Sequence, residues 1–177
     1  MKLNNIKNKI KEYFFTNPTA RLRVRQIERE IKSPLPSVIR YSKELEKENI
    51  LKVLDVSGIK FYTADRSSEA FLIEKKLFNI KRISDSGMID YLKHEYSNPT
   101  MVVFGSYSRG EDIEKSDIDL YIETEKKHDF KLDKFEKYLK RRIQVFNYSN
   151  ISKVSNPQLS NNIINGITLN GFLEVFK

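Results

Sequence analysis

One stretch of this 177-residue chain limits its fold more than any other. An apolar segment, Thr100-Met101-Val102-Val103-Phe104, runs into Gly105-Ser106-Tyr107-Ser108-Arg109-Gly110 and is followed by Ser116-Asp117-Ile118-Asp119-Leu120-Tyr121-Ile122. Thr100–Phe104 reads as a short buried strand, 106–113 as a short helix or turn, and Asp117–Glu123 as a second strand. Gly105 leaves no side chain at the turn, so a phosphate can approach the backbone. The amides that follow point at it from a helix start, and Ser106 adds a hydroxyl donor. Alternate residues of a strand face one side, about 6.5–7 Å apart along the chain. Asp117 and Asp119 therefore share a face and can reach two divalent cations about 3.5–4 Å apart. Mg²⁺ is the natural ion, because it takes hard oxygen ligands and keeps part of its shell for phosphates. A phosphate cradle beside paired carboxylates is the chemistry of nucleotidyl transfer from a nucleoside triphosphate (NTP).

Gly105, Ser106, Gly110, Ser116, Asp117, Asp119 and Leu120 fall where the minimal branch of the DNA polymerase β-like nucleotidyltransferase superfamily places its motif, and this segment resembles that family. The strand–helix–strand–helix–strand order from 100 to 148 agrees with it. The resemblance implies a small mixed sheet backed by helices. Asp117 and Asp119 would be the catalytic and metal-holding carboxylates, Gly105 and Ser106 the β- and γ-phosphate site, and Arg109 and Lys115 flanking phosphate contacts. The family places a third carboxylate on the next strand, where it completes the metal site and takes the proton of the attacking hydroxyl. Here that strand reads Arg141-Arg142-Ile143-Gln144-Val145-Phe146, with Gln144 at the expected position. An amide is no general base. Glu123 shares the face of Asp119 but lies about 13 Å along the strand. Asp129 and Asp133 could substitute only if their loop folds back. Nucleotide binding is thus more secure than turnover.

The formal charge of +8 is concentrated in the first part of the chain. Residues 1–66 carry 15 Lys and Arg against 8 Asp and Glu, whereas 67–177 carry 17 against 16. A basic module joined to a near-neutral one suggests separate partners, and a basic surface favours a polyanion. Apolar spacing predicts helices over about 4–15, 25–32 and 37–48, with an extended entry at Arg21–Arg25 and a cap within Ser33–Ser37. Strands follow at Leu51–Val56 and Ile59–Thr63, joined by a tight Ser57-Gly58 turn. Three helices and a hairpin, with Lys43–Leu54 reading KELEKENILKVL, resemble a winged helix-turn-helix. Arg40, Lys43 and Lys47 form a basic stripe on the presumed recognition helix. Such a helix puts its N-terminal residues on base edges, which selects Ser37 and Arg40 as base readers. Lys60 on the wing and Arg25, with Arg21 and Arg23, would contact the DNA backbone.

The chain thus reads as α+β: 1–66 a winged helix-turn-helix, 67–99 a helical linker, and 100–177 a minimal nucleotidyltransferase-fold domain. Within the linker, one helix runs to about Ile80, Asp85-Ser86-Gly87 breaks the chain, and a second continues through Tyr96. A helix over Pro157–Asn165 and a closing hairpin of Ile167–Leu169 with Phe172–Phe176 complete the pattern. There is no cysteine, which excludes thiolate zinc sites and disulfides. No apolar run is long enough for a membrane span, and no secretory leader is visible, so a cytoplasmic location is expected. His94 and His128 lack a second histidine at ligand spacing. Lys140-Arg141-Arg142 is either a solvated helix end or a contact for nucleic acid or an acidic partner. Three functional readings fit. The leading one is a DNA-binding transcriptional regulator whose second domain binds NTP and Mg²⁺, with slow transfer or none. The second is an active, antitoxin-like nucleotidyltransferase that modifies a toxin-like protein partner or another hydroxyl. The third is a degenerate domain that serves only as a homodimerisation scaffold.

Overall fold

The structure, a computed structural model, describes residues 6–125 and 130–176. It divides into two compact units, Met1–Phe78 and Asn79–Lys177. His128 and Asp129, considered above, lie outside the described residues.

The first unit contains α1 (Ile6–Thr16), α2 (Val24–Ile31) and α3 (Leu35–Lys47), then a hairpin of β1 (Leu51–Val56) and β2 (Ile59–Ala64). Helical periodicity turns Ile10, Phe14, Ile27, Val38 and Leu45 inward, and these join Ile50 and Leu51 in one core. The backbone N–H of Arg23 donates to Gln26 Oε1 at 2.8 Å, closing the start of α2. The expected cap within 33–37 is corrected in detail. The helix begins at Leu35 after Pro34, with Pro36 in the first turn, where no N–H is needed. Ser37 already lies inside the helix. Ser57 and Gly58 both adopt positive φ, as a two-residue hairpin turn requires, and the N–H of Gly58 donates to Asp55 Oδ1. The extended entry at 21–25 is a single antiparallel bridge, Leu22 to Tyr62, before the chain turns into α2.

Helix α4 (Glu69–Asp85) continues past Ile80. Residues 67–99, expected as a helical linker, are largely helical and also contribute to packing. Phe71 belongs to the first core, whereas Ile83 of α4 and Met88, Leu92 and Tyr96, from α5 (Met88–Glu95) and its end, belong to the core of the second unit.

Among the described residues, the second unit has the strands β3 (Thr100–Phe104), β4 (Ile118–Glu123), β5 (Ile143–Tyr148) and β6 (Ile167–Asn170), in the order β5-β4-β3-β6. β3 and β4 are antiparallel, and β4 and β5 are parallel. A parallel pair needs a crossover, and α7 (Asp133–Leu139) lies within it. Alternation splits the side chains between two faces. Met101, Val103, Ile118, Leu120 and Ile122 pack with α5 and α7 residues. Val102, Phe104 and Tyr121 pack with Ile151, Val154 and, from α8 (Pro157–Ile164), Ile163. Between β3 and β4 lies α6 (Gly105–Arg109).

The closing hairpin is not formed. β6 pairs antiparallel with the free edge of β3 instead, and 172–176 is not a strand. Edge backbone groups of β3 need partners, and β6 supplies them. Thr100 Oγ1 then donates to the carbonyl of Phe172 at 3.0 Å, holding the chain away from a return strand.

A buried polar group ties the α6–β4 loop into this unit. Asn79 Nδ2 donates to Tyr107 O at 2.9 Å and to Asp112 Oδ1 at 2.8 Å, and Arg141 faces Asp112 Oδ2 at 3.5 Å. Asp112 is 1% exposed and Arg141 9%. Removing one partner of a buried ion pair typically costs about 3–5 kcal/mol, because the other charge stays buried. Asp112→Ala should therefore lower the urea midpoint sharply, and Asp112→Asn less. Equal midpoints for Asp112→Ala and the parent would show that the pair holds nothing.

Candidate functional site

The C-terminal end of β3 and the N-terminal ends of β4 and β5 meet at one end of the sheet, because β3 runs against the other two. Phe104 is in register with Asp119, so Gly105, the next residue, arrives beside the Asp119 carboxylate. The contact is tight. A Cβ at Gly105 would collide with Asp119 Oδ2 and stand 3.2 Å from its Cγ. Gly105 also has φ +72°, a left-handed conformation that disfavours any other residue. Two independent constraints thus select glycine here. Ser106 follows, half-buried, and Ser108 Oγ donates to the carbonyl of Gly105 at 2.9 Å, fixing the turn. α6 has only five residues, so its individual amides, rather than a summed dipole, are available to an anion.

Asp117 sits just before β4 and is exposed, while Asp119 is half-buried. Burial raises the Asp119 pKa above its ordinary value, and the charge of Asp117 raises it further. Arg109 partly offsets both. Two carboxylates that repel each other at an open edge form a donor set suited to a hard divalent cation. Among the described residues, no three His, Asp or Glu side chains form a ready metal site. Phosphate oxygens or water would have to complete the shell. Gln144 of β5 is in register with Asp119 on the parallel neighbour. Paired residues share a face, with strands about 4.7–4.9 Å apart, so an amide occupies the place beside the aspartate. Asp133 opens α7, in the crossover that begins where β4 ends, away from Asp117. Arg109 is exposed and bonded to Glu111 at 2.7 Å.

Lys115 lines an open groove of about 410 Å³ with Glu114, Ser116 and Asp117 on one side and residues of the α7–β5 corner on the other. The spacing argument did not anticipate that groove, or the Asn79–Asp112–Arg141 cluster under the loop. Both depend on residues distant in sequence, so no local signal marks them. His94 is exposed and pairs only with neighbouring Glu95 at 3.3 Å.

In the first unit, Lys43 and Lys47 of α3 and Lys60 of β2 line one groove of about 440 Å³, with Glu46, Val53 and Tyr62. Ser37, Arg40 and Arg25 are outside that lining. Arg40 lies over the Tyr41 ring at 4.4 Å and faces Glu44 at 3.5 Å. Burial first, and Glu46 second, push the Tyr62 phenol above its usual pKa. Tyr62 and Glu46 were not anticipated as groove residues.

Residues 86–169 match the family model described as a nucleotidyltransferase domain. The mixed sheet and flanking helices of this part are consistent with a nucleotidyltransferase fold. No curated protein and no solved structure matches the chain. The match takes in α5 as well as the sheet, in keeping with the burial of Met88 and Leu92. Among the described residues, no helix is long and apolar enough to cross a membrane.

The raised pKa of Asp119 has a stability consequence. Its native state holds a proton more tightly than the unfolded chain does. The associated stability is present below the ordinary carboxylate value of 3.8 and is lost as pH rises through the raised one. Asp119→Asn should therefore melt higher than the parent at pH 7 in metal-free buffer, with the gap closing toward pH 3. A lower melting temperature for the variant at neutral pH would contradict the cost of burying the Asp119 charge beside Asp117.

Proposed function

We propose that residues 79–177 bind a nucleoside triphosphate with Mg²⁺, and that residues 1–78 form a winged helix-turn-helix that binds double-stranded DNA, the two acting together as a transcriptional regulator. The observation that carries the nucleotide reading is the seating of the Asp119 carboxylate against Gly105. It brings the bare turn and the Asp119 carboxylate to one point, where a triphosphate and its cation would meet. Gly105 and Ser106 would take the β- and γ-phosphates, and Arg109 would lie alongside. Asp117 and Asp119 would hold Mg²⁺, which supplies neutralisation of the phosphate charge when bound.

In a transfer reaction, an acceptor hydroxyl oxygen bonds to the α-phosphorus. The bond to the bridging oxygen breaks, pyrophosphate leaves with the electron pair, and the hydroxyl proton passes to a base. Gln144 cannot take that proton. Loss of a general base typically costs about 10²–10⁴ in rate. The reading is therefore binding with slow transfer or none. Isothermal titration should detect Mg²⁺-dependent nucleotide binding by the parent and none by Asp117→Asn combined with Asp119→Asn. Gln144→Asp should keep binding and raise transfer. Brisk transfer by the parent would refute the role assigned to Gln144, and absence of binding at millimolar nucleotide would leave the domain a scaffold.

The DNA reading is favoured by the convergence of Lys43, Lys47 and Lys60 on one groove between α3 and the hairpin. Each neutralised phosphate releases counterions, so affinity should fall steeply with salt. Lys60→Ala should weaken all duplex sequences alike and flatten the salt slope by about one. Arg40 would first have to leave Tyr41 and Glu44 to read a base. Arg40→Ala should then alter sequence preference by about 1–3 kcal/mol if the contact is bidentate. Gel-shift titrations at several salt concentrations measure both, and no duplex binding by the full chain at low salt would end this reading.

A further inference from the structure

We propose that the outward face of α4 pairs with the same face of a second copy of this chain, antiparallel, to form a reversible homodimer. The inference is independent of the nucleotide and DNA readings. Ala70, Ile73, Leu77, Ile80 and Ser84 recur at spacings of three and four along the 17 residues of α4, which sets them on one stripe of the helix. At about 100° per residue, the buried positions Phe71, Lys75, Asn79 and Ile83 lie on the opposite side. Ile73 is 51% exposed and Leu77 64%. Ile80, at the margin of the stripe, is half-buried and touches the core of the second unit. A single exposed aliphatic is ordinary. Three large ones in succession on one helix face, turned away from the buried side, are the pattern of a helix that packs on another helix.

The occupant follows from the stripe itself, which is self-complementary. Read from either end it runs small, large, large, large, small, so a copy turned end for end sets large residues on large ones and Ala70 against Ser84. Charge fixes the direction. In a parallel pair, Glu69 would meet Glu74 of the second copy and Lys76 would meet its Lys81, both repulsive. In the antiparallel pair, Glu74 comes opposite Lys81. On the other flank Lys76 comes nearest its own copy, and its long stem keeps that charge in water. Glu74 already accepts from Lys11 at 2.6 Å, and Lys81 donates to Asp85 at 2.8 Å. These exposed groups therefore choose orientation and contribute little affinity. A helix of 17 residues is about 25 Å long. One such face buries less than the about 1,200 Å² of a standard interface. The dimer is accordingly concentration-dependent rather than obligate.

Sedimentation velocity on the full chain, from low micromolar to several hundred micromolar, should show the mass rising from the 20.9 kDa of one chain towards twice that value. Leu77→Ala should weaken self-association at least about tenfold, since burying a leucine side chain contributes more than one such factor. Val56→Ser, at an exposed apolar residue of the first unit's hairpin, should leave it unchanged. Both side chains are exposed, so each variant should melt with the parent at low concentration, which reports a folded chain. A second measurement reads the direction. The chain has no cysteine, so single cysteines can be introduced and joined by a short bismaleimide. Ala70→Cys and Ser84→Cys should each fail to cross-link alone, because antiparallel seating sets two copies of either position roughly 20 Å apart. The two variants mixed should cross-link to each other. A monomer at every concentration overturns the proposal. Self-association that Leu77→Ala leaves intact overturns it too, by putting the interface elsewhere. Ala70→Cys linking to itself is the mark of a parallel pair and refutes the seating, as does failure of the mixed pair to link. A chain that stays monomeric but binds an unrelated protein through Leu77 also overturns the homodimer.

Discussion

The antiparallel pairing of Phe104 with Asp119 is the constraint on which the second unit depends. Once that pair is in register, the next residue of β3 must pass directly over the aspartate, and only a residue without a side chain can do so. A slip of one residue would turn Asp119 into the apolar core and Ile118 outward. The core therefore defends the register. Ile118, Leu120 and Ile122 are each fully buried on one face, and Tyr121 is buried on the other. The candidate site is in this sense a by-product of hydrophobic alternation.

Register alone does not place Asp117, which precedes the strand. The loop before it is held by a buried polar group. Asp112 is clamped by Asn79 and Arg141, and the N–H of Ile113 donates to Ser116 Oγ at 3.0 Å. Such a group contributes little net stability compared with apolar packing, but its geometry is specific. Asn79 comes from α4 and Arg141 from the corner before β5, so three distant segments converge on one carboxylate. The same convergence leaves the cations around Arg141 facing outward over the groove, while Arg141 itself turns in.

The first unit was legible element by element, because its signals are local. Helical spacing at Ile10 and Phe14, apolar positions at Val38 and Leu45, and a Ser57-Gly58 turn each act within a few residues. The start of α3 shifted because Pro34 and Pro36 set the backbone before Ser37 could cap it. The hairpin expected at the chain end failed for a different reason. The strand pattern of Ile167–Leu169 was real and that of Phe172–Phe176 was not, because alternation does not name a partner and β3 offered an open edge. Likewise, α4 ran past Ile80 because Ile83 had a core to enter, which no propensity encodes.

Local signals in the sequence set the α+β composition, the strand–turn–strand unit around Gly105 and the place of Asp119 on the second strand. They also marked the amide at Gln144. These follow from backbone sterics and from the period of a strand, which act between near neighbours. Packing across each unit sets Gln144 in register with Asp119, brings Lys115 to a groove shared with the α7–β5 corner, and puts Lys43, Lys47 and Lys60 on one groove. It also decided that Asp112 meets Arg141. Each of these joins residues whose proximity comes from burying apolar surface across the whole unit. That driving force is proportional to area and indifferent to order along the chain, so the polar neighbours it creates are not visible in the sequence.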